Sequence, residues 1–495
     1  MSARLLAAVL LLVGSLLIFP RLGTQSLWVD EGLTVGPALA ATGLPDLVAR
    51  VRQVDTQPPG SHLVLYALRD VLPRSELGFR LPSFVAVEIG LALFYVLLRR
   101  LWGAPTALIA LALAQHASYL AFFAAEARNY GLWFLLIVAS LLLALLWHER
   151  AYAGRRGAAA CALAWGLVNG LGMWTHLFHA CVMVGELAVV FAIVLARPSD
   201  LRAPGRYLLG AVLSLGVTVL LAAPWLVILA HGAATGQALG VSWTRAFSLG
   251  NGPYYLYAFH FGTSFGPNLR ELHTETMRTL LARHWLALSV AGAVAGVTGT
   301  VYLRLIVDAL RRPQHRYELL LLMVFPLGSL AGPLAYAMWT DFPLHPRHLL
   351  FIWPFVPVVF ALGFVRAPRL RPLLVMVAAV QLVAFANLLY QPQYWKDDER
   401  GAVRFAEAQS GNHAYVLGDV APLYCLRVEG RPKTFTDFPA GTQDVWLVDN
   451  RAWEPENGRL RIELNRRMQS MGFASVGSHE DFRGIVLRHW KSTGS

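Results

Sequence analysis

The chain has 495 residues, 56% of them hydrophobic and only 15% charged, too little polar surface for a water-soluble protein of this length. Its net charge is +12, nearly all from arginine, since Lys396, Lys433 and Lys491 are the only lysines. Many arginines sit in short segments between apolar runs, as topology signals do, and that placement speaks against a nucleic-acid partner.

Apolar runs of bilayer-spanning length recur from the N-terminus to residue 390. They predict eleven spans, at about 4–20, 80–101, 104–123, 129–147, 157–174, 177–196, 206–230, 284–308, 318–339, 348–365 and 372–390. The first carries one arginine, Arg4, and no small-residue cleavage site follows it, so it reads as a retained span. Arginines mark every second connection: Arg99 and Arg100; Arg150, Arg155 and Arg156; Arg197, Arg202 and Arg206; Arg311, Arg312 and Arg316; Arg366, Arg369 and Arg371. Positive charge stays inside. The N-terminus is therefore expected in the cytoplasm and the C-terminus on the outer, periplasmic face of an inner membrane.

Three outer segments are long: 21–79, 231–283 and the tail 391–495. Within the first, "PPGSHLVLYALRDVL" has helical periodicity and two prolines suited to a helix start. It is too short to span and reads as an amphipathic surface helix. The second is rich in Gly, Tyr and His. Its Tyr254, Tyr255, Tyr257 and His260 fit either a lid or acceptor groove or an interfacial aromatic belt. In the tail, "AYVLGD", "DVWLVDN" and "RGIVLRHW" read as strands, and "DDERGAVRFAEAQ" and "RLRIELNRRMQSMG" as amphipathic helices. The predicted architecture is a polytopic α-helical domain over 1–390 and a small α/β domain over 391–495. The cysteines, Cys161, Cys181 and Cys425, form neither a disulfide framework nor a metal-ligand pattern. No residue is assigned to a metal, no cofactor is specified, and a divalent ion is left open.

Five clusters fall at the predicted outer face: "WVDEG" (28–32), "DTQPPGSH" (55–62), "EARNY" (126–130), "THLFH" (175–179) and "PLHPRH" (343–348). Topology places them at one level, which suggests a site at the membrane boundary. Each has a plainer reading. Asp30 fits a helix N-cap, Glu126 with Arg128 a surface pair, and Arg128 and Arg347 interfacial anchors. Glu88 and Glu186 lie inside spans, where a carboxylate is expensive and is retained for a role or for packing.

Taken together, "LWVDEG", "DTQPPGSHLVLYAL" with "GFRLPS", "EARNYGL", "THLF" and "HPRHLLFIWPF" resemble the C-type (GT-C fold) membrane glycosyltransferases. The nearest branch is the bacterial one that looks like protein O-mannosyltransferases and the aminoarabinose transferases of lipid A (glycosyltransferase family 39/83-like). The resemblance runs through most of 1–390. It departs at Thr56 and Gln57, where the aminoarabinose transferases carry a Glu-Lys pair, and at Gly60, where Leu is common. It implies a sugar carried on polyprenyl phosphate, an inverting transfer on the outer face, and a glycan, lipid or protein acceptor.

That chemistry needs a base for the acceptor hydroxyl and cations for the departing phosphate. The phosphate leaves without a protonated acid, so one carboxylate suffices. Asp30 is the expected base. Its neighbour Glu31, about 100° away around a helix, is expected to support or to position the acceptor. The arginine fork suits phosphate, so Arg128 and Arg347 are the expected phosphate ligands. Asp55, Glu126, Tyr130, His176 and His348 are supporting candidates. Two other readings fit a polytopic chain: a transporter or flippase of a lipid-linked glycan, and an inactive scaffold relative.

Overall fold

The computed structural model describes residues 2–55, 57–196, 204–234, 251–312, 318, 320–340, 342, 344–410, 414–418, 420, 423–424, 428–429, 438, 441–450 and 457–494. Among them are nine helical runs long and apolar enough to cross a bilayer. The chain is a multi-pass α-helical membrane protein with a small C-terminal strand region. Much of 231–283, residues 235–250, and Cys425 lie outside the described residues.

Helix α1 (Ala3–Ile18) runs with the short α2 (Arg21–Thr24) as the first span. The first long connection folds into three helices, α3 (Val29–Ala40), α4 (Leu44–Val54) and α5 (Gly60–Leu68). The amphipathic α4 buries Leu47 and Val51, and α5 buries Ser61, His62 and Leu65. Gly60 opens α5 because no side chain fits: a Cβ there would lie 2.6 Å from the Trp174 carbonyl oxygen. A leucine at that position would push α5 off the chain at 174–175.

The predicted spans at about 80–101 and 104–123 are one helical run, α6 (Glu76–Gln115), broken at Gly103. Gly103 has φ 81°, a left-handed value that glycine adopts without strain, and Pro105 follows at the start of the second half. A separate turn of helix, α7 (Ser118–Ala124), completes this stretch. There follow α8 (Tyr130–Tyr152), α9 (Ala158–Thr175), α10 (His179–Ala196), α11 (Pro204–Ala234), α12 (Gly252–Phe261), α13 (Leu269–Thr274), α14 (Met277–Arg311) and α15 (Phe325–Thr340). The predicted span at 348–365 is a 3-10 turn, Pro346–Leu349, and then α16 (Phe355–Arg366). At 12 residues, roughly 18 Å, α16 is shorter than a bilayer core. The difference between eleven spans and nine is thus the Gly103 merger and this short helix. Helix α17 (Arg371–Tyr390) is the last span.

The principal core is aromatic where α6, α7, α8 and residues 344–362 meet: Tyr119 stacks on Trp353, and Trp133 and Phe134 are fully buried. Glu186 has partners on both oxygens and Glu88 on one, its Oε2 being buried without a partner among the described residues. Glu186 accepts from Ser140 Oγ (2.7 Å), Trp165 Nε1 (2.8 Å) and Asn169 Nδ2 (3.0 Å). Glu88 accepts from Gln115 Nε2 at 3.0 Å. Both tie helices together.

Beyond Tyr390 the chain forms a five-stranded sheet in the order β2-β1-β3-β5-β4, with β1 at Ala414–Leu417, β2 at Val428–Glu429, β3 at Asp444–Asn450, β4 at Phe473–Phe482 and β5 at Ile485–Ser492. β1 is parallel to β2 and β3, and β5 is antiparallel to β3 and β4. Side chains alternate between the faces of a strand, and β3 is apolar on both. Trp446 and Val448 pack against Ala402, Val403 and Ala406 of α18 (Glu399–Gln409). Val445 and Leu447 pack with Met468 of α19 (Asn457–Ser470).

Candidate active site

The five clusters meet. Trp28 Nε1 donates to Glu126 Oε1 (3.1 Å), and the Ala127 amide donates to Glu31 Oε1 (2.8 Å). Asn129 Nδ2 donates to the Thr175 carbonyl (2.9 Å). His176 lies 6.2 Å from His348, ring to ring. Arg347 Nη1 donates to Asp30 Oδ2 at 2.9 Å.

Asp30 is not a cap. Trp28 is the N-cap of α3, and Asp30 stands in its first turn, where a carboxylate also complements the helix dipole. Its side chain keeps 11% of its surface exposed. Arg347 comes from the 3-10 turn at Pro346 and lines a cavity of about 920 Å³, counting the space at its mouth. Aromatic rings form much of the wall: Trp28, Tyr119, Phe122, Phe123, Tyr130 and Tyr254. Glu126, Ser118 and His345 supply polar groups. Asp30 does not itself line the cavity; it lies behind Arg347, one ion pair away.

Glu31 sits elsewhere. It is fully buried. Arg80 grips it with Nε to Oε1 and Nη2 to Oε2, both at 2.7 Å, and the Trp28 amide reaches Oε2 at 3.3 Å. Lys396 Nζ lies 3.3 Å from Oε1. The remaining donors of Arg80 satisfy the carbonyls of Leu22, Gln25 and Ser26. Burial would raise the Glu31 carboxyl, but the Arg80 and Lys396 charges and the Arg80 and Ala127 hydrogen bonds outweigh it and hold it at about 2. With its oxygens occupied, Glu31 cannot touch a substrate. Of the two roles expected for it, support and acceptor positioning, the contacts are those of support: Glu31 fixes the start of α3 to α6 and to residue 127.

Arg128 is held through one nitrogen, while its buried Nε has no hydrogen-bond partner among the described residues. Nη1 donates to Asp55 Oδ2 at 2.5 Å and to Thr34 Oγ1 at 3.1 Å. It lines a second, smaller cavity with Thr34, Ser61 and Ser83 rather than the aromatic one. Asp55 also accepts from the Gln57 amide (3.0 Å), and burial, opposed mainly by Arg128, leaves its carboxyl below the usual range. The Arg128–Asp55 pair therefore ties the loop before Pro58 to the segment between α7 and α8. Each of the two arginines expected at the phosphate is thus paired with a carboxylate, and they line different cavities.

His176 and His348 are also inward. His176 stacks on Trp133 (3.8 Å, 7°) and its Nδ1 accepts from the Phe178 amide. His348 stacks on Phe178 (5.3 Å, 4°) and its Nδ1 accepts from the His345 amide. Burial, with neighbouring Arg347 adding to it, pushes both imidazoles well below their ordinary value, so both are neutral. They pack the site and bring no charge to a phosphate.

Glu126 does face the cavity. Its Oε2 is buried and has no hydrogen-bond partner among the described residues. Burial pushes its carboxyl up to about 7, Lys396 opposing and Glu31 and Asp30 adding. Tyr130 lines the same wall. Sequence reasoning missed Arg80 and Lys396 as partners of Glu31. Arg80 stood in the quoted "GFRLPS". Lys396 had one signal, a rare lysine just after the last span. No group of three or more potential metal ligands occurs among the described residues.

No protein-family model and no curated protein matches the chain. Solved structures do. ArnT from Cupriavidus metallidurans in the apo state superposes with a TM-score of 0.52 at 14% identity, covering 99% of this chain and 98% of ArnT. The GT-C fold is the fold of this chain. The oligosaccharyltransferase of Archaeoglobus fulgidus, in complex with Zn and sulfate, matches with a TM-score of 0.51 at 13% identity, over 89% of this chain and 68% of its own. The same enzyme tethered to an acceptor peptide with the NVT sequon gives 0.50 at 11%, over 96% and 73%. In this GT-C chain the helices of the first long connection carry Asp30, and the turn before α16 carries Arg347.

Proposed function

We propose that the protein is a glycosyltransferase that moves a sugar from a polyprenyl-phosphate donor to an acceptor hydroxyl at the outer face of an inner membrane. The observation that carries this reading is the Asp30–Arg347 pair, set where Arg347 enters an aromatic-walled cavity. The GT-C fold supports it. The cavity is walled by segments that connect the spans, together with their ends, which suits a headgroup more than a mid-membrane transport site.

In this reading the donor phosphate binds Arg347, whose Nε has no partner among the described residues and whose fork donates to two oxygens. The phosphate competes with Asp30 for that guanidinium and releases the carboxylate. The acceptor oxygen then attacks the anomeric carbon, its proton passes to Asp30, and the carbon–oxygen bond to phosphate breaks. Polyprenyl phosphate leaves with its new charge on Arg347. A single displacement inverts the anomeric centre. Aromatic faces such as Trp28 and Tyr254 flank the sugar, and Glu126 Oε2 accepts from one of its hydroxyls or from the acceptor. The acceptor is a glycan, lipid or protein group. The N-terminus lies in the cytoplasm and the tail domain, 391–495, on the outer side, as the arginine distribution argues.

The test is to incubate purified protein with a panel of radiolabelled polyprenyl-phosphate sugars and envelope acceptors, with Asp30→Asn in parallel. Transfer by the native protein alone is expected. Equal transfer by both would remove Asp30 from its role.

A further inference from the structure

The segment after the last span enters the site. Lys396 is buried; its Nζ donates to the Ala125 carbonyl at 2.9 Å and pairs with Glu31 at 3.3 Å. The ammonium also lies 5.1 Å from the Phe122 ring centre and 5.9 Å from that of Trp28, within cation–π reach. Trp28 is the residue whose indole holds Glu126 against the cavity.

The flanking residues anchor the lysine from several directions. Ser26 Oγ donates to the Asp397 carbonyl (2.9 Å) and accepts from the Glu399 amide (3.1 Å). Asp397 is held by Arg270 of α13 at 2.8 Å, and Arg483 Nε beside β5 donates to the Lys396 carbonyl (2.8 Å). The strand edge, α13 and the residues before α3 thus converge on one short run, 395–399. An anchor of that density is more than a surface residue needs.

We propose that Lys396 is a positioning residue of the active centre: from the tail it braces Trp28 and supplies the charge that keeps Glu126 able to bind a carbohydrate hydroxyl. This rests on the glycosyltransferase reading. The charges facing Lys396 are Glu31, Arg80, Glu126 and Arg21; those facing Glu126 are Lys396, Glu31, Asp30, Arg128, Arg347 and the Tyr130 phenol. Lys396 is the largest favourable charge on Glu126. Burial, partly opposed by Glu31, lowers Lys396 itself to about 8.

The experiment uses full-length protein as native, Lys396→Met, Lys396→Arg and Glu126→Gln. Infrared titration follows the protonated-carboxyl band assigned by its loss in Glu126→Gln, and the pH profile of sugar transfer is recorded alongside. The native band is expected to titrate near pH 7 and to move to higher pH in Lys396→Met. A move of about one pH unit lowers transfer at pH 7 about fivefold. Lys396→Arg keeps its charge, and with it the cation–π hold on Trp28, above pH 8, so the alkaline fall in transfer disappears. It carries the same test if the methionine variant does not fold. An unchanged midpoint in Lys396→Met, or an alkaline limb that persists in Lys396→Arg, overturns the proposal. If the native protein transfers no sugar, the glycosyltransferase reading fails while the infrared midpoint still decides whether Lys396 acts on Glu126.

Discussion

Two adjacent carboxylates, Asp30 and Glu31, are sorted by their partners. Glu31 has a buried bidentate arginine and a buried lysine; Asp30 pairs with Arg347 and keeps 11% of its side chain exposed. Removing one member of a buried pair strands the other. Glu31→Gln is therefore expected to cost about 3–5 kcal/mol in stability, read as a lower unfolding temperature in detergent. Because its folded value is depressed to about 2, the stabilisation from Glu31 is complete above the ordinary carboxylate range. It is lost as pH falls toward 2, so the gap between native and variant should close in acid. Asp30→Asn should instead leave the unfolding temperature nearly unchanged and lower turnover by roughly 10²–10⁴-fold, the range of a lost general base. Arg347→Lys keeps the charge but not the fork; it should raise KM for the donor more than it lowers turnover.

At the scale of elements, α5 tests how close packing sets the site. Gly60→Leu would drive a Cβ to 2.6 Å from the Trp174 oxygen. Overpacking of this kind costs about 1–3 kcal/mol, and displacing α5 moves His62, which lies 3.9 Å from Asp55. A lower unfolding temperature together with weaker transfer is expected; an unchanged unfolding temperature would show that α5 is free to shift. Periodicity made most elements legible in the sequence. The tail strands "AYVL" and "DVWLVDN" and both amphipathic helices lie where alternation and helical spacing put them. Strand β4, "FASVGSHEDF", was not, because its exposed face and Gly477 hide the alternation. The Gly103 break was legible too, since the predicted spans 80–101 and 104–123 part at that glycine.

Across the whole molecule, arginine spacing brought the polar clusters to one level, and the fold brings them into contact. Pairing was not legible, because it depends on side chains 49 to 365 positions apart: Arg80 with Glu31, Arg128 with Asp55, Lys396 with Glu31. With Glu126 at about 7 and Lys396 at about 8, turnover is expected to rise through pH 7 as Glu126 ionises and to fall above 8 as Lys396 loses its proton and with it the cation–π hold on Trp28. A flat profile from pH 6 to 9 would remove both groups from the reaction. The most direct measurement of the central claim is the release of free polyprenyl phosphate from a sugar-loaded donor, followed by chromatography in native protein and Asp30→Asn side by side. The account predicts acceptor-dependent release by the native chain and almost none by the variant. Release at the same rate from both would contradict it.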